Sequence, residues 1–225
     1  MKSRRKFLQK SLLSSFALAP ISNQIVGRSL KANVKKAQQI PSPQVISTWN
    51  HGLAANDKAW EILSAKGNIL DAVEEGVKVT EIDKSVFSVG LDGIPDREGI
   101  GTLDASIMKG DGSCGAVAFV RQIKHPITLA RLVMEKTPHV LLVGEGARQF
   151  AIQEGLPVEE EVLSPQASKD YKEWKKNANY QPIINVENHD TIGMIGIDAT
   201  GEMAGSCTTS GLGYKMHGRV GDSPI

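Results

Sequence analysis

A threonine hydroxyl is a weak nucleophile until a base takes its proton. Thr191 stands where one solution to that problem is available, behind Asp190 in the polar stretch Asn188-His189-Asp190-Thr191 that leads into a β-rich run. Were the Asp190–Thr191 peptide bond opened, Thr191 would become the first residue of a chain and its own α-amine would serve as the base. The threonine can open that bond itself, by attacking the preceding carbonyl to form an ester that water then cleaves. A carboxylate one residue upstream and a strained backbone would both assist. Spacing alone favours a plainer reading, in which Asp190 caps a turn and Thr191 is a β-former at a strand start. A second pattern lies downstream. Arg219 and Asp222 put one cation and one anion three residues apart, the pair of charges that the carboxylate and ammonium of a free α-amino acid require, with the planar guanidinium suited to bidentate contact. Such a pair in a loop is more often a surface ion pair.

Other chemistries lack their patterns. His51, His125, His139, His189 and His217 are scattered, with no i, i+4 pair and no cysteine pair beside them, so no metal site is expected. The stretch VLLVGEGARQFA resembles the strand, turn and helix of a dinucleotide site, but Gln149 occupies the position of the third glycine, leaving an ordinary helix entry. No G-x-S-x-G elbow is present. Cys114 and Cys207, in apolar strand-like surroundings, read as buried thiols rather than a bridge or metal pair.

The elements that must position these residues follow from periodicity. QVIST (44–48) reads as a short strand ending at Trp49. A helix capped at Asn56 or Asp57 runs to Gly67, and a second spans about Ile69 to Thr80, with Ile69, Ala72, Val73, Gly76 and Val77 at helical spacing. Residues 88–103 form a long glycine-rich loop. Asp104–Met108 and Cys114–Val120 read as a hairpin, Pro126–Lys136 as a helix, Val140–Val143 as a short apolar run before a helix to about Glu154. Residues 156–190, with Glu159-Glu160-Glu161 and few apolar residues, suggest a solvated helix in a mobile connector. Thr191–Asp198 and Met203–Thr209 form a final hairpin. This order predicts a layered α/β or α+β domain rather than a helical bundle.

Of the 225 residues, 40% are hydrophobic and 23% charged, an ordinary globular mix. Lys and Arg number 26 against 25 Asp and Glu, but the balance is segregated. Seven bases (Lys2, Arg4, Arg5, Lys6, Lys10, Arg28, Lys31) and no acid lie in the first 31 residues, leaving 19 bases against 25 acids in the body. That body has no general attraction for nucleic acid. The N-terminal stretch Ser3-Arg4-Arg5-Lys6-Phe7-Leu8, followed by an apolar segment broken by Ser14, Ser15 and Pro20, resembles a twin-arginine export signal. It is too polar to remain as a membrane anchor. The expectation is therefore a signal at 1–32, a linker at 33–43, and export to the periplasm or beyond.

From Ser47 onward the chain resembles the glycosylasparaginases, N-terminal-nucleophile hydrolases of the asparaginase family. The resemblance is carried by STWN (47–50), LDAVEEGV (70–77), SVG (88–90), PDREG (95–99), TLDASIM (102–108), MEKTPHVLLVGEGA (134–147), HDTIGMIGID (189–198), CTTSG (207–211) and HGRVGDSPI (217–225). It implies an α+β fold, a four-layer αββα sandwich, with residues 44–190 and 191–225 on either side of the self-cleavage point. It implies hydrolysis of the side-chain amide of glycosylated asparagine, with plain asparagine or isoaspartyl dipeptides as sister substrates; the rival to that reading is an uncleaved, non-catalytic exported binding domain or an inactive fragment. In that scheme Thr191 is the nucleophile, Asp190 assists cleavage, and Thr209 hydrogen-bonds near the Thr191 amine and hydroxyl. Arg219 and Asp222 hold the α-carboxylate and α-ammonium, with Val220 and Gly221 between them in the substrate site. Trp49 closes the pocket and Ser88 supports it. The resemblance implies no cofactor, a small-molecule substrate, and a homodimer of cleaved protomers. Asp92 replaces the glycine usual in the family and is expected to affect pocket shape or processing. Family members continue well past the equivalent of Ile225, so a longer gene is expected.

Overall fold

A computed structural model describes residues 43–178 and 191–225; Asp190, the export signal, most of the linker and the end of the connector lie outside the described residues. Six strands form one sheet: β1 (Gln44–Ser47), β2 (Leu103–Lys109), β3 (Cys114–Val120), β4 (Leu141–Val143), β5 (Ile192–Ile197) and β6 (Met203–Thr209), in the order β1-β5-β6-β2-β3-β4. Every neighbouring pair is antiparallel except β3 and β4. The hairpins expected at 104–120 and 191–209 are thus present, and β5 and β6 are inserted between β1 and β2.

Four helices pack on the sheet: α1 (Gly52–Ser64), α2 (Ile69–Glu81), α3 (Pro126–Lys136) and α4 (Gly144–Gln153). Helix α2 starts where expected because Asn68 caps it, its side-chain oxygen accepting the Asp71 amide at 2.8 Å. It buries Ile69, Ala72, Val73, Gly76 and Val77 along one face. Proline opens α3 at its first turn, where the missing amide costs nothing. Helix α1 differs from expectation. It begins at Gly52, a turn before Asn56, because the chain doubles back through Gly52 N–H to Trp49 carbonyl and Leu53 N–H to Asn50 carbonyl bonds. A side chain at position 52 would run into Ser47, so the start is fixed by tertiary contact rather than by a capping residue. Between the helices and sheet lies one core, including Val73, Val77, Ile107, Val117, Ile127, Leu129, Ile192 and Met194. Each such side chain contributes about 1.5–3 kcal/mol by leaving water.

The opposite sheet face is apolar but uncovered by any described element. Ile46 and Ile195 are both 63% exposed, and Met108, Leu141, Val143 and Met203 are exposed with them. The register runs Ile46, Ile195, Gly205, Met108 across four strands. The described residues therefore form one helical and one sheet layer of an α+β fold. None of their helices is long and apolar enough to cross a membrane.

Residues 156–178, expected as part of a connector, carry α5 (Pro165–Lys176), capped by Ser164. It is pinned by aromatic rings: Trp174 stacks on Tyr214 at 4.4 Å between centroids, with Tyr171 beside them. The Tyr171 hydroxyl donates to the Arg97 carbonyl. Both cysteines are free and half-buried, more open than expected.

Candidate active site

Thr191 sits at the mouth of β5. The next residue, Ile192, pairs with Thr208, the neighbour of Thr209. Thr48, just after β1, clamps this start from the other side. Its hydroxyl donates to the Thr191 carbonyl at 2.9 Å and accepts the Gly193 amide at 2.9 Å, while its own amide donates to the Gly193 carbonyl. Thr48 thus extends the β1–β5 ladder onto Thr191 itself. The next residue, Trp49, is held with φ at 61° and its ring 58% exposed. A bulky residue in the left-handed region is costly, and such outliers gather at functional sites.

Thr209 ends β6. Its hydroxyl donates to the Ser88 carbonyl at 3.1 Å and accepts the Gly211 amide at 2.9 Å, and the Ser210 amide also donates to the Ser88 carbonyl. Ser88 therefore holds the Thr209–Ser210 turn through its backbone carbonyl. In the same loop the close backbone approach falls at Gly93, where a side chain would run into Ser210. The neighbouring Asp92 is half-buried.

The segment after β6 brings the remaining candidates in. The Arg219 guanidinium lies between two glycines: an added Cβ at Gly221 would meet its nitrogens at 2.9 and 3.1 Å, and one at Gly211 would meet it at 3.5 Å. Gly211 has φ at 78°, so both its backbone and its bareness are required. Val220 and Asp222 are exposed and Gly221 half-buried. Ser223 is buried, its carbonyl accepting from the Ser106 hydroxyl and its own hydroxyl 3.4 Å from Thr191 Oγ1. Ser223 also hydrogen-bonds the Cys207 thiol. Burial pushes that thiol up, and the nearby Asp222 charge adds to the effect. Ser223 thereby links Thr191 to the Arg219–Asp222 segment.

Thr48, Ser106 and Ser223 carry no mark in the sequence, since a hydroxyl that serves a distant partner has no local spacing rule. Among the described residues, one cluster has metal-ligand chemistry: Asp96, Glu98 and His217 converge. The Asp96 carboxylate is already used. One oxygen accepts the Glu98 and Ile100 amides, and the other meets His217 Nδ1 at 2.6 Å. The arrangement locks a loop.

A sequence profile of the asparaginase family matches residues 32–225. The chain is 50% identical, over 99% of its length, to the N(4)-(beta-N-acetylglucosaminyl)-L-asparaginase of Elizabethkingia miricola, covering 64% of that relative. It is 36% identical to the rat protein of the same name over 82% of this chain and 62% of that one. It is 40% identical to a rat isoaspartyl peptidase/L-asparaginase over 78% of this chain and 54% of that one. The sequence thus spans less than two thirds of the length of these curated relatives. With a family profile covering most of its residues and such identities over most of its length, the chain belongs to the asparaginase family.

Proposed function

We propose that this protein hydrolyses the side-chain amide of N-glycosylated asparagine, using Thr191 as an N-terminal nucleophile freed by cleavage after Asp190. The observation that carries the reading is the seating of Thr191. Its carbonyl is clamped by Thr48, and its hydroxyl faces Ser223, next to the Arg219–Asp222 pair. In the uncut chain, Thr191 Oγ1 attacks the Asp190 carbonyl carbon. The peptide nitrogen leaves as the Thr191 amine, and water opens the resulting ester to leave the Asp190 carboxylate. In the cut chain the α-amine takes the Oγ1 proton as Oγ1 attacks the substrate's amide carbonyl. The C–N bond breaks, the glycosylamine departs with the proton, and water releases aspartate from the β-aspartyl ester. Arg219 and Asp222 hold the substrate's α-carboxylate and α-ammonium.

Two observations support the glycosylated substrate: the 50% identity to a relative named for it, and the exposed ring of Trp49 beside Thr48. The 40% identity to an isoaspartyl peptidase/L-asparaginase supports the sister activity on the same residues. Export by the twin-arginine route and a homodimer of cleaved protomers complete the proposal. The test uses the full-length protein purified from its native source. Mass spectrometry and N-terminal sequencing should find a chain beginning Thr-Ile-Gly-Met, absent in Thr191→Ala. Release of aspartate from GlcNAc-asparagine should exceed release from asparagine or β-aspartyl dipeptides. An unbroken active chain would overturn Thr191 as nucleophile, and a preference for dipeptides would transfer the assignment to the sister activity.

A further inference from the structure

Lys215 is 1% exposed, and no fully buried side chain among the described residues is larger. Lysine is almost never this buried unless paired. Its ammonium donates to the Ser210 carbonyl at 2.8 Å, beside Thr209. Its charge faces Asp104 and Asp96, with Arg219 as the neighbouring cation. Asp104 is fully buried at the start of β2, paired across the sheet with Thr209. One of its oxygens accepts the Phe119 amide at 2.7 Å. The β2–β3 ladder shifts register between Leu103 and Ala105, and Phe119 has φ at 53°. A bulge and a left-handed phenylalanine thus aim an amide at this carboxylate. The charges facing Asp104 are Lys215 and Arg219.

The two cations share a support. A Cβ at Gly211 would meet Lys215 Nζ at 2.5 Å and Arg219 Nη1 at 3.5 Å. Like charges packed around one glycine in a low-dielectric setting repel, and a buried carboxylate facing both offsets that repulsion. Burial works against both members of the pair, pushing the lysine down and the aspartic acid up, and each charge opposes the other's displacement. TLDASIM, which carries Asp104, thereby acquires a place in the site that its resemblance alone does not give.

We propose that Lys215 and Asp104 are positioning residues that set the Arg219 guanidinium against Gly211 and Gly221, and so fix how well the site recognises a substrate's free α-carboxylate. The proposal rests on the functional reading above. Neither residue touches substrate; both act through Arg219 and the Thr209–Gly211 turn.

The test compares full-length wild type with Lys215→Met and Asp104→Asn on two substrates, GlcNAc-asparagine and its α-carboxamide, which lacks the anion. In both variants KM for the free acid should rise about tenfold with kcat within about threefold, and the preference for acid over carboxamide should fall about tenfold. A purely structural role predicts equal losses on both substrates and an unchanged preference, which overturns the proposal. A wild type inert on both substrates and on asparagine and β-aspartyl dipeptides would refute the functional reading instead. The positioning claim is then judged by the NMR signal of Arg219 Nε–H. That signal should exchange slowly with solvent in wild type and quickly in the variants. Equal exchange in wild type and variants overturns it, and so does fast exchange in wild type should neither variant fold.

Discussion

Thr191 draws neighbours from two distant places in the chain: Thr48 at a strand end and Ser223 in the segment after β6. The Ser223 contact, at 3.4 Å, is long for two hydroxyls, so it orients rather than activates. Ser223→Ala should therefore lower kcat by roughly three- to tenfold, the range expected from losing about 1 kcal/mol of hydrogen bonding. Autocleavage should be slowed but not abolished; steady-state assays and a time course of intact mass would check both. Which residues would matter was only partly legible in the sequence. The Asp190-Thr191 step and the Arg219–Asp222 pair suggest a chemistry by residue type, but spacing alone favours a turn cap and a surface ion pair, and the family resemblance is what singles them out. Ser88 contributes a carbonyl, which any residue could supply, and Thr48 acts through a contact 143 positions away.

Elements were more legible than their ends. Helix α2 and both hairpins follow from periodicity and turn residues, which act locally. The start of α1 does not, because close packing of Gly52 on Ser47 overrides the capping preference at Asn56. Strand β3 carries a similar hidden demand. A side chain at Gly115 would strike the Ala130 carbonyl and come within 2.6 Å of the Met134 amide, both backbone atoms of α3. Gly115→Ala should therefore cost about 2–3 kcal/mol by forcing α3 off the sheet. Gly146 in α4 has nothing within 4 Å of its added Cβ. Gly146→Ala should be neutral or stabilise by about 0.5–1 kcal/mol. Urea midpoints at constant slope would separate the two.

At the scale of the whole molecule, Asp198 ties the last hairpin to the first helices. It accepts the Thr200 amide and hydroxyl, the Glu202 amide, and the Ile69 amide at the start of α2. Burial raises its carboxyl, but these donors outweigh burial and hold it below its ordinary 3.8. An acid with a lowered folded pKa stabilises above its unfolded value, and the gain is lost as pH falls through the folded one. Asp198→Asn should thus be less stable than wild type at pH 7, with the gap narrowing as pH drops below about 4; urea titrations at pH 7, 5 and 3 would show it. The layered α+β class was legible from element order, whereas the strand order was not, since register between distant strands has no local signal. That order has a further consequence. Strands β5 and β6 follow β1 to β4 in sequence yet stand between β1 and β2. The sheet can close only after its central strands have been made and threaded home. Under the proposed cleavage, Thr191 meets its clamp only at that moment. The cut becomes a timestamp of that insertion, and both pieces stay knitted together by ladders on either side of the inserted hairpin. In a pulse-chase experiment, cleaved chains would count the molecules whose β5–β6 hairpin has been inserted.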